Sequence, residues 1–155
     1  MRTLIAMTAG LISMGIAGIT PAAAFHLSPS GDFVGTGKTS ATKSGLTLPC
    51  KAKFTGHVDD SGVGFVDGGT FKDVQGGFGC AGVQLSNLPW EVDAITRNHV
   101  QIKGVAFSTP IGDCGPGDVE GTIKNGILKM IAVHLDPDCT VSAHVLTNPI
   151  VSIVK

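Results

Sequence analysis

Along residues 48–58, Leu48, Cys50, Ala52, Phe54, Gly56 and Val58 alternate with Pro49, Lys51, Lys53, Thr55 and His57. A period of two predicts a strand with one buried and one wet face. Asp59-Asp60-Ser61-Gly62 then predicts a turn, and 63–71 can return as the second arm of a hairpin. Upstream, 25–31 reads as a loose leader into the domain, and 33–44 is rich in Gly, Thr and Ser. That second segment is expected to be a polar edge strand whose register is weakly specified.

Further along, Gly76-Gly77 opens an irregular connection through Cys80. Short extended pieces follow at 83–85 and 88–92, the latter with Trp90 and Val92 on one face. Alternation resumes over 99–108, and 110–117 reads as a Gly and Pro loop holding Cys114. Residues 119–124 and 127–135 flank Asn125-Gly126, a pair suited to the positive φ angles of a type I′ hairpin turn. After a turn at Asp136-Pro137-Asp138, 139–146 places Cys139, Val141, Ala143 and Val145 on one face, and 150–154 supplies a last strand. The sum is about nine short strands with brief turns and little or no helix, so the expected class is all-β, an antiparallel β-sandwich with a barrel as the alternative.

Composition agrees: Gly is abundant at 22 residues, and Thr, Val and Ile recur between turn residues. Residues 1–24 stand apart. Arg2 precedes an uncharged apolar run over 4–19, Thr20 and Pro21 break it, and Ala22-Ala23-Ala24 offers small residues at a peptidase site. This pattern predicts a cleaved signal peptide over 1–24, a single domain over 25–155, and export to the periplasm or beyond the cell. The run is shorter than the roughly 20 residues that span a bilayer, and no transmembrane segment is expected in the mature chain. Without Arg2, the 11 Lys plus Arg against 12 Asp plus Glu leave a net charge of about −2, with no basic block to favour nucleic acid.

Export changes the reading of the cysteines. Cys50, Cys80, Cys114 and Cys139 are even in number and are expected to form two disulfides. Three pairings are open; Cys50 with Cys80 and Cys114 with Cys139 is favoured because each closes a moderate loop within one half of the chain.

Candidate chemistry is sparse. Gly35-Thr36-Gly37-Lys38-Thr39 resembles the end of a phosphate-binding loop, but Asp32 occupies the position where the first Gly belongs, and a polar strand is the preferred reading. His26, His57, His99, His134 and His144 lack the spacing of common zinc sites. Cleavage after Ala23 would place His26 third from a free terminus, a copper(II) arrangement, although Ala24 is the better cleavage point. Asp113, Asp118, Asp136 and Asp138 flank two of the cysteines and could approach calcium, yet they match no EF-hand and read more simply as turn residues. No Gly-x-Ser-x-Gly elbow is present, and the two glutamates, Glu91 and Glu120, fall on wet strand faces. Neither a catalytic centre, a metal nor a cofactor is expected.

Three stretches carry a resemblance: Thr39-Ser40-Ala41-Thr42-Lys43-Ser44-Gly45-Leu46-Thr47-Leu48-Pro49-Cys50, Asn87-Leu88-Pro89-Trp90 and Cys114-Gly115-Pro116-Gly117-Asp118-Val119. Together they resemble the PraB-like family of secreted activators of alkane oxidation. The resemblance implies an exported, non-catalytic factor that promotes growth on hydrocarbons and binds or disperses apolar molecules, or alters the cell surface. It assigns no catalytic residue. The alternative is a structural subunit of an extracellular filament, adhesin or biofilm matrix, self-associating through a candidate assembly strand made of Ile150, Val151, Ile153 and Val154.

Overall fold

A computed structural model describes residues 24–155. The signal-peptide reading of 1–24 therefore falls, but for Ala24, outside the described residues. The described residues form eleven strands: β1 (His26–Ser28), β2 (Gly31–Lys43), β3 (Leu46–Val58), β4 (Gly64–Asp73), β5 (Gln84–Ser86), β6 (Trp90–Ala94), β7 (His99–Thr109), β8 (Gly112–Lys124), β9 (Ile127–Leu135), β10 (Cys139–Asn148) and β11 (Ser152–Val154). Among the described residues the only helical piece is a 3₁₀ turn at Cys80–Gly82.

The all-β expectation holds, and the architecture is the barrel alternative rather than the sandwich. Hydrogen-bonded neighbours run β7-β6-β4-β3-β2-β10-β9-β8, and a β7–β8 ladder closes the ring of eight strands, with β5 as a ninth strand against β7. Closure needs strands that bend. Bulges interrupt β3–β4 at Thr55/Gly56, β10–β9 at Val141/Ala143 and β7–β8 between Ile102 and Phe107, and bulges of this kind increase local twist. Gly37 makes one corner: a Cβ there would meet the His144 carbonyl oxygen at 1.9 Å. Only glycine allows the β2 backbone to lie that close to β10.

This geometry explains where β2 departs from the sequence reading. It is an interior wall strand, paired over its whole length to β3 and β10, rather than an edge. Its inward positions carry Phe33, Gly35, Gly37, Thr39 and Ala41, so beyond Phe33 it presents only small side chains to the lumen, with Gly35 opposite Phe54 and Ala41 opposite Leu48. The expected loop at 110–117 is likewise mostly strand, because β8 begins at Gly112 and carries Cys114 inward, 2 % exposed.

The barrel has two different ends. At the cap end, β1 pairs antiparallel with β11, and Leu27 and Val151 cover a cluster with Val58, Val100 and Ile123. The segment expected to be a loose leader thus contributes part of a lid, with Leu27 4 % exposed. Thr147 fixes this lid: its hydroxyl donates to the Gly126 carbonyl and accepts the Val151 N–H at 2.9 Å. At the opposite, disulfide end lie the turns at 44–45, 110–111 and 136–138 and the crossing segment 74–83. Both disulfides, Cys50–Cys80 and Cys114–Cys139, have the favoured pairing, with Cα atoms 5.8 Å apart in each, a normal span.

Candidate functional site

The alternation that makes the walls also fills the lumen with apolar side chains. A central cluster of Trp90, Ile102, Val105, Val119, Leu135 and Val141 packs with the Cys114–Cys139 bridge. Toward the disulfide end it leaves a cavity of about 100 Å³, bounded by Leu48, Phe54, Phe71, Leu85, Phe107, Met130 and Val145 among others. The polar residues on its wall are Thr39, Ser40 and Thr109. A second void of about 70 Å³ lies on the cap side, lined by Leu27, Phe33, Val100, Ile123 and Val151. Phe54, Val66, Ile102, Leu128 and Val145 border both and form the partition.

Such a space holds no water gladly. A water molecule needs two to four polar partners, and this lining supplies almost none, whereas an apolar cavity of roughly 150 Å³ stays dry and takes up benzene or xenon. The larger void falls below that size and well below the roughly 300 Å³ at which drug-sized pockets begin. It suits a small apolar molecule or one end of a longer chain.

The disulfide end also exposes large apolar side chains. Phe78, in the crossing segment, is 85 % exposed, and Leu46, beside the β2–β3 turn, is 59 % exposed. A lone exposed apolar residue is ordinary on a protein surface. Ile95 and Ile150 are exposed similarly toward the cap end, so exposed apolar residues are not confined to one end.

The polar candidates do not converge. Asp138 is engaged by the Lys43 ammonium, which also donates to the Asp113 carbonyl oxygen at 3.0 Å. Hydrogen bonding to Lys43 holds the Asp138 carboxyl below its usual range. Asp118 accepts the Gly104 N–H, and Asp136 pairs with His134 at 3.0 Å; apart from the Lys43 link between Asp138 and the Asp113 carbonyl, the aspartate side chains serve separate partners, as the turn reading expects. His57 pairs with Asp67 at 2.7 Å, and the His99 ring lies against Thr96 and Asn98. Glu91 lies 3.7 Å from Lys103, which bonds Asp93 more closely, and the Asp93 carboxylate raises the Lys103 pKa. Ser61, followed by the Val63 N–H, lowers the pKa of Asp59 in the β3–β4 turn. Gly35 and Gly37 of the loop-like motif lie mid-strand in β2, where no helix N-terminus follows.

Of the candidate assembly strand, Val151 is 3 % exposed and Ile153 packs on the cap cluster, while Ile150 and Val154 are exposed. Ile153 and Val154 pair with Leu27 and His26 of the same chain. Sequence reasoning missed the cavity because its wall is drawn from β2–β7, β9 and β10 and the residue Val83 beside β5. The available signal was the set of inward small residues, Thr39, Ala41 and Ala143, of which Thr39 and Ala143 face each other across β2 and β10.

A family model described as "Alkane oxidation protein activator PraA/PraB-like" matches residues 1–155. No curated protein and no solved structure matches the chain. The family description is that of an activator, not of the oxidising enzyme itself.

Proposed function

Because the chain belongs to the family of PraA/PraB-like alkane oxidation protein activators, we propose that it acts outside the cytoplasm as a non-catalytic accessory factor that contacts hydrocarbon. The observation that carries this reading is the apolar cavity of about 100 Å³ inside a closed barrel. The two buried disulfides support an oxidising compartment, since such bonds persist in exported proteins and are rare in the cytosol. Phe78 and Leu46 support contact with an apolar phase at the disulfide end. The chemistry of oxidation then belongs to a separate enzyme, and this protein acts on access to its apolar substrate.

The test is partition of the purified, oxidised protein to a hexadecane–water interface, alongside displacement of a fluorescent apolar dye by n-hexane. Enrichment and displacement above those of a control β protein of similar charge are expected. Equality with the control in both assays sinks the proposal. Assembly into filaments would have to use the edge of β11 that does not pair with β1; electron microscopy of the concentrated protein should show monodisperse particles, and filaments would favour the assembly reading.

A further inference from the structure

The ring of strands is closed by hydrogen bonds, but not evenly along its height. β6 covers β4 only at Gly64–Val66, whereas β3 holds the other edge of β4 as far as Asp73. The upper part of β4, residues 67–73, therefore faces β5 across a seam with no ladder, since β5 pairs with β7 alone. A second seam exists where β8 and β9 pair only over Thr122–Lys124 and Ile127–Lys129. That one is filled: Val119 and Leu135 are buried there, Cys114–Cys139 bridges from β8 to β10, and β8 contributes no residue to the cavity wall.

The β4/β5 seam is different, because the residues on its two sides, Phe71 and Leu85, are themselves cavity wall. Gly68 and Gly69 leave the β4 side without side chains, and Leu85 lies over the gap: a Cβ on Gly69 would meet Leu85 Cδ1 at 2.9 Å. The top of the barrel is partly covered. There the Cys80–Gly82 turn is bound to Cys50, Cys80 is fully buried, and positions 79 and 82 pack against Pro110 of the β7–β8 hairpin. β5 is three residues long with one strand partner, the kind of element that opens locally at low cost.

The geometry points to a specific site within the proposed hydrocarbon contact, on which this inference rests: the cavity takes one end of a linear alkyl chain, admitted between β4 and β5, with Leu85 as the gate. Size imposes the end-on mode. A void of about 100 Å³ is smaller than the roughly 150 Å³ cavity that takes benzene, so it holds only the end of a chain and the remainder lies along the Gly68-Gly69 seam and in solvent.

The test uses the full oxidised protein with methyl-resolved NMR and n-alkanols of four to ten carbons, whose hydroxyl trails outside. Affinity should rise about fourfold per methylene for the short members and then more slowly as the chain reaches the seam. Methyl signals of Val141 and Leu85 should shift together. Leu85→Ala should speed ligand exchange at least tenfold, and Gly69→Val should slow it by a similar factor. Val119→Ala, which loosens the opposite seam, should leave the exchange rate within about twofold. If Gly69→Val does not fold, Leu85→Ala against Val119→Ala decides. Equal acceleration by those two overturns the seam as the route. Shifts confined to the surroundings of Phe78 and Leu46 overturn the internal site while leaving hydrocarbon contact standing, and no binding of any alkanol together with no partition to hexadecane removes both.

Discussion

The two disulfides close loops of 30 and 25 residues, and both are buried. In the chain-entropy account each should stabilise the fold by about 3.5 kcal/mol, with a difference between them of only about 0.2 kcal/mol, because the dependence on loop length is logarithmic. The structure predicts unequal costs. Cys114–Cys139 spans the region where β8 and β9 have parted, so its loss frees the ring itself, and the central cluster with Leu135 is exposed to opening. Cys50–Cys80 instead pins the crossing segment, and its loss frees 74–86 while the remaining ladders persist. Cys114→Ala/Cys139→Ala should therefore lower stability by more than 4 kcal/mol. For a folded unit of about 130 residues, with an unfolding entropy near 0.28 kcal/mol/K, that is a fall in Tm of roughly 15 °C. Cys50→Ala/Cys80→Ala should cost about 3.5 kcal/mol or less and show early hydrogen exchange confined to 74–86. Urea unfolding with hydrogen exchange measures both. Equal costs within about 0.3 kcal/mol and the same exchange pattern would refute the assignment of different structural roles.

Gly37→Ala should destabilise by several kcal/mol or prevent folding, since its methyl would sit 1.9 Å from the His144 carbonyl oxygen, and no flexible side chain can yield; a loss under about 0.5 kcal/mol in urea unfolding would contradict this backbone packing. Asp138 has a folded pKa below its ordinary value because of Lys43, so its contribution is present above the unfolded value of 3.8 and is lost as pH falls through the lower folded value. Asp138→Asn should therefore lower Tm at pH 6 and converge with the parent in strong acid; a gap unchanged from pH 6 to 2 would disprove the linkage. Phe78→Ser should leave Tm within about 1 °C and reduce partition to hexadecane severalfold, and unchanged partition would exclude Phe78 as a contact.

Parts of this molecule are legible in its sequence for definite reasons. β3 shows its faces because large inward residues, Leu48, Phe54 and Val58, contrast with outward lysines. Asn125 and Gly126 adopt φ angles of 52° and 77°, as their side chains permit and a type I′ turn requires. β2 hides its inward face because Gly35 and Gly37 lie too close to β10 to carry a side chain, and with Thr39 and Ala41 they look polar or neutral in a pattern of hydropathy. β1 hides because one leucine in three residues carries no period. Barrel and sandwich share the same alternation, and what separates them is whether β8 finds β9 on one side while holding β7 on the other, a matter of register and bend. The cavity is further from view still, being a shortfall of volume summed over many strands. The cysteine pairing was accessible because loop length is a property of the sequence itself.

The lid joins two segments more than a hundred residues apart: Leu27 and Val151 jointly cover Val58, Val100 and Ile123, and β1 pairs with β11 beside them. Burial at the cap end therefore waits on a contact of very long sequence separation, and until it forms the mouth of the barrel shows apolar surface of the kind chaperones recognise.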